Sequence, residues 1–353
     1  MKHFSRSESL ILLLLFLAVA LAVFGSRTHR LYTQFAIESD VDHVLFLYER
    51  TGLEELSEKL DSLGLDVDKA ELQWAGQTLR WRSFSPGRYE IEGHISYSDF
   101  LSKLARGLQD PARITILPGT DIGRFSRSMA FQMRPDSLGF SEIFTDSSEI
   151  ALEAGLTGEE LFSRMLPNSY DMYWTSSAEN VVRRLLREFD QTVGERYRDE
   201  IEEHDMSLEE IIIMASIVEW EARHNEEKPR ISGLYLNRIE RNMMLQADPT
   251  VIYALGERRR LFFEDYQVDH PYNTYLIEGL PPGPITNPDL ASIRAVLNPE
   301  KHDYLYMVAT PEGSHRFSRT FEEHRQASEE WRRWIREQHR IREQREREAE
   351  SDL

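Results

Sequence analysis

The sequence predicts an α+β protein, mostly helical in its C-terminal part and carried on one N-terminal apolar helix. Three observations support that class. Residues 10–25 form a charge-free apolar run in an otherwise polar chain. Residues 40–115 alternate between strand-like and helical stretches. Ser207-Leu208-Glu209-Glu210 opens a helix that is apolar on most sides through Val218 and ends in two carboxylates, Glu219 and Glu221.

Composition narrows the classes of function. A chain of 353 residues can build more than one domain with ample core. Its net charge of −19 argues against nucleic acid as a partner, since that needs a basic footprint. The lack of cysteine excludes disulfides, thiolate catalysis and a cysteine-ligated zinc site. The 11 histidines show no HExxH or paired spacing, and no Gly-rich phosphate loop or Ser/His/Asp elbow is present. No metal and no cofactor is expected.

The elements follow in order. The run Leu10–Gly25 is near the short end of a spanning helix and reads as a membrane anchor over 10–26. Lys2 and Arg6 before it, and Ala18, Ala20, Ala22, Gly25 and Ser26 within and after it, also fit a cleavable signal. The length of the run and its lack of a crisp small-x-small end favour the uncleaved anchor. Flanking charge orients it weakly, Lys2 and Arg6 standing against Arg27 and Arg30. The short tail 1–9 and the large acidic remainder favour export of the remainder. Leu53–Leu63 reads as a short amphipathic helix, Thr78–Phe84 as a strand and Pro86–Ile91 as a turn into a strand. Tyr97–Gly107 spaces Phe100, Leu101 and Leu104 as a helix with Gly107 as its stop. Arg113–Leu117 is a further strand, ended by Pro118-Gly119. Residues 40–115 thus form a small α+β module of a binding or positioning kind. Residues 120–205 are mostly helical, broken by an aromatic loop at Leu166–Trp174 whose rings either stack on sugars or fill core. Residues 322–353 are dense in Glu and Arg, with Trp331, Trp334 and Ile335 as a thin apolar seam on a solvated helix.

The two glutamates carry the chemistry. They lie roughly 200° apart around the helix, so they cannot face one point. Glu221 continues the stripe of Met214, Ile217 and Val218; Glu219 continues that of Ile212, Ala215 and Ser216. A carboxylate closing an apolar stripe loses hydration, which raises its pKa. That is the state required of a general acid in glycosidic cleavage. The alternative for either is a solvated helix end or an ion pair with Arg223, Arg230 or Arg238.

The run Met214–Glu221, followed by Lys228–Arg238, Leu245–Thr250 with Tyr253, and Tyr272–Tyr275, resembles the YceG-like family of endolytic murein transglycosylases. Gly279–Ile285, Asn287-Pro288, Leu297–Pro299, Tyr304–Tyr306 and His315–Ser318 continue the resemblance, which spans residues 85–330. It implies a LysM-like module over 27–120, a lysozyme-like, mostly helical catalytic domain with short strands over 121–330, and a charged helical tail over 331–353. It implies an anchor in the cytoplasmic membrane with the bulk of the chain outside. The implied reaction cuts the β-1,4 bond between N-acetylmuramic acid and N-acetylglucosamine in peptidoglycan, leaves 1,6-anhydro ends and limits strand length during wall synthesis. The family's catalytic glutamate falls on Glu221. Glu219 falls in the same motif, in a structural or supporting place. Trp220 stands where lysine is usual and Ala222 where threonine is usual.

On that reading Asp248 either steadies positive charge on the sugar, binds a hydroxyl or caps its own loop. Gln246, Asn237, Tyr272 and Asn273 are candidate hydrogen-bond partners for glycan. His315 either meets a muramyl carboxylate or peptide stem, or is a hydrogen-bonded strand residue. Pro281–Pro284 is a stiff segment suited to a groove wall. Expected partners are peptidoglycan strands, the membrane and, by family analogy, cell-wall synthesis proteins. The alternative is a membrane-tethered scaffold that binds glycan without cutting it.

Overall fold

A computed structural model describes residues 6–351. Lys2, with the rest of 1–5 in the expected N-terminal tail and 352–353 of the C-terminal one, lies outside the described residues. The protein mixes helices with short antiparallel strand pairs and has two compact units. The first runs through Ile114 and adds Gln132–Arg134 and Asp171–Ser176; the second takes Thr115–Phe131, Pro135–Tyr170 and everything from Ser177 onward.

The first unit begins with α1 (Arg6–Tyr32), whose residues Leu10–Phe24 are exposed apolar side chains. It is long and apolar enough to cross a membrane, with mean hydropathy 2.7. Its far end is anchored differently: Leu31 is buried in the unit's core and Arg30 lies 3.8 Å over the Trp74 ring. Strand β1 (Phe35–Leu47) is followed by β2 (Thr51–Gly52), α2 (Leu53–Ser62), α3 (Lys69–Leu79), β3 (Ser83–Phe84), β4 (Gly87–Ser96), α4 (Tyr97–Ala105) and β5 (Pro111–Ile116). β1 pairs antiparallel with β4 from Phe35 opposite Ser96 to Leu47 opposite Gly87, with an irregularity between Ser39 and His43. Leu45, Leu47, Leu56, Leu60, Tyr89, Phe100 and Leu101 fill the core between this pair and α2 and α4.

One expected strand is corrected here. Thr78 and Leu79 are the last turn of α3, and extended structure survives only at β3, which pairs with β2. Asp68 starts α3 by accepting from the Ala70 and Glu71 amides at 2.9 and 3.0 Å, and Leu72 and Ala75 bury its inner face. Packing of that face carries the helix on until Arg80 turns it off at φ 61°.

The chain continues with α5 (Ile122–Gln132), α6 (Ser137–Ser141), α7 (Glu149–Ala154), α8 (Gly158–Ser163), β6 (Asn168–Tyr173), α9 (Ala178–Phe189) and α10 (Arg198–Glu202), all in the second unit except Gln132 and the stretch from Asp171 in β6 to Ser176, which belong to the first. The expected aromatic loop is therefore largely a strand. Its burial alternates, with Tyr170 and Met172 in and Tyr173 out. Pro167-Asn168-Ser169 suggests a turn, but the period of two that follows is that of a strand. The rings are mostly core: Tyr170 donates to the Leu166 carbonyl at 2.7 Å, and Trp174 meets Phe46 and Tyr48 edge-on.

α11 (Leu208–Glu221) starts at the predicted capping box, Ser207 and Glu210 each serving the other's amide. Ile211 through Val218 are all buried. α12 (Lys228–Glu240), α13 (Asp248–Leu255) and α14 (Leu290–Leu297) surround it, and Leu234, Tyr235, Ile293 and Val296 belong to the same core. Each such aliphatic side chain contributes about 1.5–3 kcal/mol relative to exposure. The hairpin of β7 (Tyr306–Ala309) and β8 (His315–Ser318) pairs Tyr306 with Ser318 and Ala309 with His315, and α15 (Phe321–Ser351) packs on it.

Gly233 sits inside α12 where a Cβ would lie 2.3 Å from the Glu300 carbonyl oxygen. Helix propensity alone would make Gly233→Ala stabilising by about 1 kcal/mol. The close backbone approach reverses that sign, and the expected result is a loss of about 1–3 kcal/mol in thermal unfolding. A variant at least as stable as the parent would contradict this packing.

Candidate active site

Glu221 ends α11 at the floor of a cleft of about 480 Å³. Its side chain is partly buried, and its carboxyl accepts from the Tyr235 hydroxyl at 2.7 Å. Tyr235 comes from α12, is buried to 1% exposure, and has its own ionisation pushed far up by burial and by Glu221. It therefore stays a donor. Burial raises the Glu221 carboxyl from 4.5 to about 7; the Tyr235 hydrogen bond opposes the shift and the Asp248 charge adds to it. The result is a carboxyl that still carries a proton near neutral pH.

Asp248, the first residue of α13, is exposed beside this cleft. Its carboxylate makes no cap to its own helix. It instead accepts from the hydroxyls of Tyr275 at 2.6 Å and Tyr266 at 3.4 Å. The loops that hold these groups are tied together. The Gln246 amide donates to the Thr274 carbonyl at 3.0 Å, and the Ala247 amide donates to the Thr274 hydroxyl at 3.0 Å. Thr250 and Thr274 share a buried hydroxyl contact of 2.9 Å. Gln246 takes a left-handed conformation at φ 52°, a strained choice for a side-chain-bearing residue. The motifs Leu245–Thr250 and Tyr272–Tyr275 are thus two halves of one knot.

Glu219 has a different fate two positions earlier. Its Oε2 accepts from Lys228 Nζ at 3.0 Å, the Asp289 amide at 3.1 Å and the Ser292 hydroxyl at 2.6 Å. Lys228 is 2% exposed and also donates to Asp289 at 2.8 Å. Burial pushes Glu219 up, and the Ser292 and Lys228 donors pull it back in part. Asp289 suffers burial too, but its donors Lys228 and the Ser292 amide outweigh it and hold it below the ordinary range. This cluster fastens α11 to the starts of α12 and α14. The partner is Lys228 and none of the arginines considered from sequence.

The remaining expected residues divide clearly. Gln246 and His315 line the cleft with Glu221 and Asp248. His315 is a β8 residue that also binds Glu227, amide to Oε1 at 2.8 Å and ring to Oε2 at 3.2 Å. Asn237 does not reach the cleft: its amide donates to the carbonyls of His302 and Tyr304 at 2.7 and 3.1 Å. Tyr272 turns away to Glu159 at 2.6 Å, and buried Asn273 donates to the Tyr266 and Val268 carbonyls. Pro281 borders another cavity, of about 760 Å³. Trp220 lies under Arg258 at 3.9 Å and donates to the Gly119 carbonyl at 3.1 Å. That places its departure from the family pattern outside the set that lines the cleft. Among the described residues no cluster of His, Asp and Glu is arranged to hold a metal.

Tyr235, Arg238, Tyr266, Tyr275, Tyr306, His324 and Trp331 also line the cleft, and the sequence alone points to none of them there: Arg238 reads only as an ion-pair partner, Tyr235, Tyr275 and Tyr306 only as parts of matched motifs, and Trp331 only as part of the tail's apolar seam. The available signal was a tyrosine inside a buried helix face, since a buried hydroxyl requires a partner.

A protonated carboxyl in an open polar and aromatic cleft is the arrangement that a general acid for glycosidic cleavage requires. The model of the YceG-like family matches residues 47–330. The chain is 37% identical over 265 residues to the endolytic murein transglycosylase of Bacillus subtilis (strain 168), covering 70% of this chain and 73% of that one. It is 25% identical over 312 residues to the endolytic murein transglycosylase of Streptococcus pneumoniae serotype 2, covering 78% of this chain and 56% of the relative. The crystal structure of a yceG-like protein from Listeria monocytogenes aligns with TM-score 0.56 and 27% identity, over 82% of this chain and all of that one. The chain belongs to the YceG-like family.

The electrostatics predict opposite shifts. Tyr235→Phe removes a donor to the ionised carboxylate, so Glu221 should titrate higher. Asp248→Asn removes a nearby negative charge, so Glu221 should titrate lower. Each should move the alkaline limb of the pH–rate profile by roughly 0.5–1 pH unit. Shifts of the same sign would show that Glu221 does not govern that limb.

Proposed function

We infer that this protein is a membrane-anchored endolytic peptidoglycan lytic transglycosylase with Glu221 as its general acid and base. The observation that carries the reading is the Glu221 carboxyl, raised to about 7 inside an open cleft. Glu221 gives its proton to the glycosidic oxygen leaving C1 of N-acetylmuramic acid, and the C1–O4 bond breaks. Positive charge develops on the muramyl ring. The ring's own 6-hydroxyl oxygen then bonds C1, and its proton passes to the Glu221 carboxylate. No water is consumed, the acid is restored, and the product ends in a 1,6-anhydro ring. An internal nucleophile removes the need for a second carboxylate to activate water. Asp248, oriented by two phenols, supplies negative charge beside the developing cation. Gln246 and His315 are the cleft residues best placed to bind sugar substituents.

On this reading α1 anchors the chain in the cytoplasmic membrane and the bulk lies on the outer side. Residues 27–120 act as a LysM-like glycan-holding module, and 121–330 form a lysozyme-like catalytic domain. The charged tail 331–353 and the membrane placement suit a role beside cell-wall synthesis proteins, shortening strands as they are made.

Incubating the purified full chain with uncrosslinked peptidoglycan should release anhydro-ended fragments, detected by mass spectrometry. Glu221→Gln should abolish them in a folded protein, while Glu219→Gln should retain them in its folded fraction. Reducing ends would indicate a hydrolase, and unaltered strands a binding scaffold. A stability signature accompanies the chemistry. Between pH 4.5 and about 7 the native carboxyl keeps a proton that the unfolded chain has released. Its contribution to stability therefore declines as pH rises through that window, by about 3 kcal/mol in all. Glu221→Gln should gain on the parent progressively across it. A constant stability difference at every pH would contradict the assignment.

A further inference from the structure

The cleft holds a buried cation that the mechanism above leaves unused. Arg238 of α12 is 7% exposed and lines the same cleft as Glu221. Its Nη2 donates to Gln246 Oε1 at 2.7 Å, and its guanidinium lies 5.5 Å from the centre of the Tyr306 ring. Its buried Nε has no hydrogen-bond partner, and among the described residues no carboxylate is one of the groups that act on its charge. The groups that act on its charge are the phenols of Tyr235, Tyr306 and Tyr275. The His324 ring also stacks on Tyr306, at 5.3 Å and 23°, and its buried Nδ1 is also unpartnered. His324 lines the cleft as well. A buried guanidinium without a counter-ion is costly, and it cannot escape by losing its proton.

We propose that Arg238, with Gln246 and His324 beside it, forms a subsite for a substrate carboxylate. This rests on the glycan-cleaving reading and deepens it. N-acetylglucosamine carries no carboxylate. A muramyl ring does, either as its free lactyl group on denuded strands or on the peptide attached there. An unpaired guanidinium would also oppose the positive charge that develops on the sugar in the same cleft. A carboxylate brought by the substrate cancels that opposition, so only a muramyl-bearing register would be both held and cleaved. A carboxylate beside the guanidinium would supply the charge-assisted interaction that no protein carboxylate gives it.

The test measures binding in full-length E221Q protein in detergent, where cleavage cannot intervene. The probes are denuded glycan strands, strands with peptide stems and N-acetylglucosamine oligomers. Adding R238Q should weaken the carboxylate-bearing probes by about tenfold to a hundredfold and leave the N-acetylglucosamine oligomers within about twofold. Loss on denuded strands assigns the lactyl carboxylate; loss confined to peptide-bearing strands assigns the stem. Equal loss on all probes, or none, overturns the subsite. Should R238Q fail to fold, E221Q alone can be titrated with N-acetylmuramic acid, a muramyl peptide and the methyl esters of each. Weaker binding of an ester supports the subsite, and equal binding of acid and ester in both pairs overturns it. Anhydro ends from the parent protein are scored separately, so failure of the reaction and failure of the subsite remain distinct.

Discussion

The site depends on the desolvation of one carboxyl. Ile211 through Val218 of α11 are all buried, so the C-terminal end of the helix delivers Glu221 to the floor of a cleft with its side chain only partly exposed. The helix could not place the group so deeply if it were amphipathic. Burial supplies the upward shift, the Tyr235 hydroxyl orients the carboxyl and limits the shift, and Asp248 adds to it from across the cleft. Three successive helices, α11, α12 and α13, thus set one proton affinity.

The same helix shows why a neighbouring glutamate does something else. Glu219 points about the opposite way and is enclosed with Lys228, Asp289 and Ser292. Every donor around Oε2 is already committed, so the group fixes where α11, α12 and α14 meet. A buried ion pair of this sort is weak evidence for added stability, because desolvation consumes much of its attraction. Its consequence is geometric: the end of α11 is located, and with it Glu221. Arg258, 3.9 Å over the Trp220 ring, packs on the same end of α11.

Much of this was legible because it is local. The Ser207–Glu210 capping box, the apolar continuity of Ile211–Val218 and the phase difference between Glu219 and Glu221 are properties of a single helix. The apolar run of α1 and the turn into β4 are likewise short-range signals. The misplaced elements were decided by distant packing. Thr78–Leu79 joined α3 because Leu72 and Ala75 were buried on the core, and Asn168–Tyr173 became a strand although its turn residues suggested a loop. Within the site, Asn237, Tyr272 and Asn273 have the right chemistry for sugar binding, yet their hydrogen bonds go to carbonyls and to Glu159. Tyr235, Arg238, Tyr306 and His324 gained their places only when α12, β7 and α15 came together, and no periodicity within one segment records that.

The reaction turns on residue 221 holding a proton through the neutral range. Carboxyl infrared difference titration of the full chain, with Glu221→Gln as the subtraction reference, reads that proton directly. A protonated-carboxyl band at residue 221 should persist at pH 6 and titrate with a midpoint near 7. A band already lost at the ordinary glutamate range, about 4.3, would contradict it.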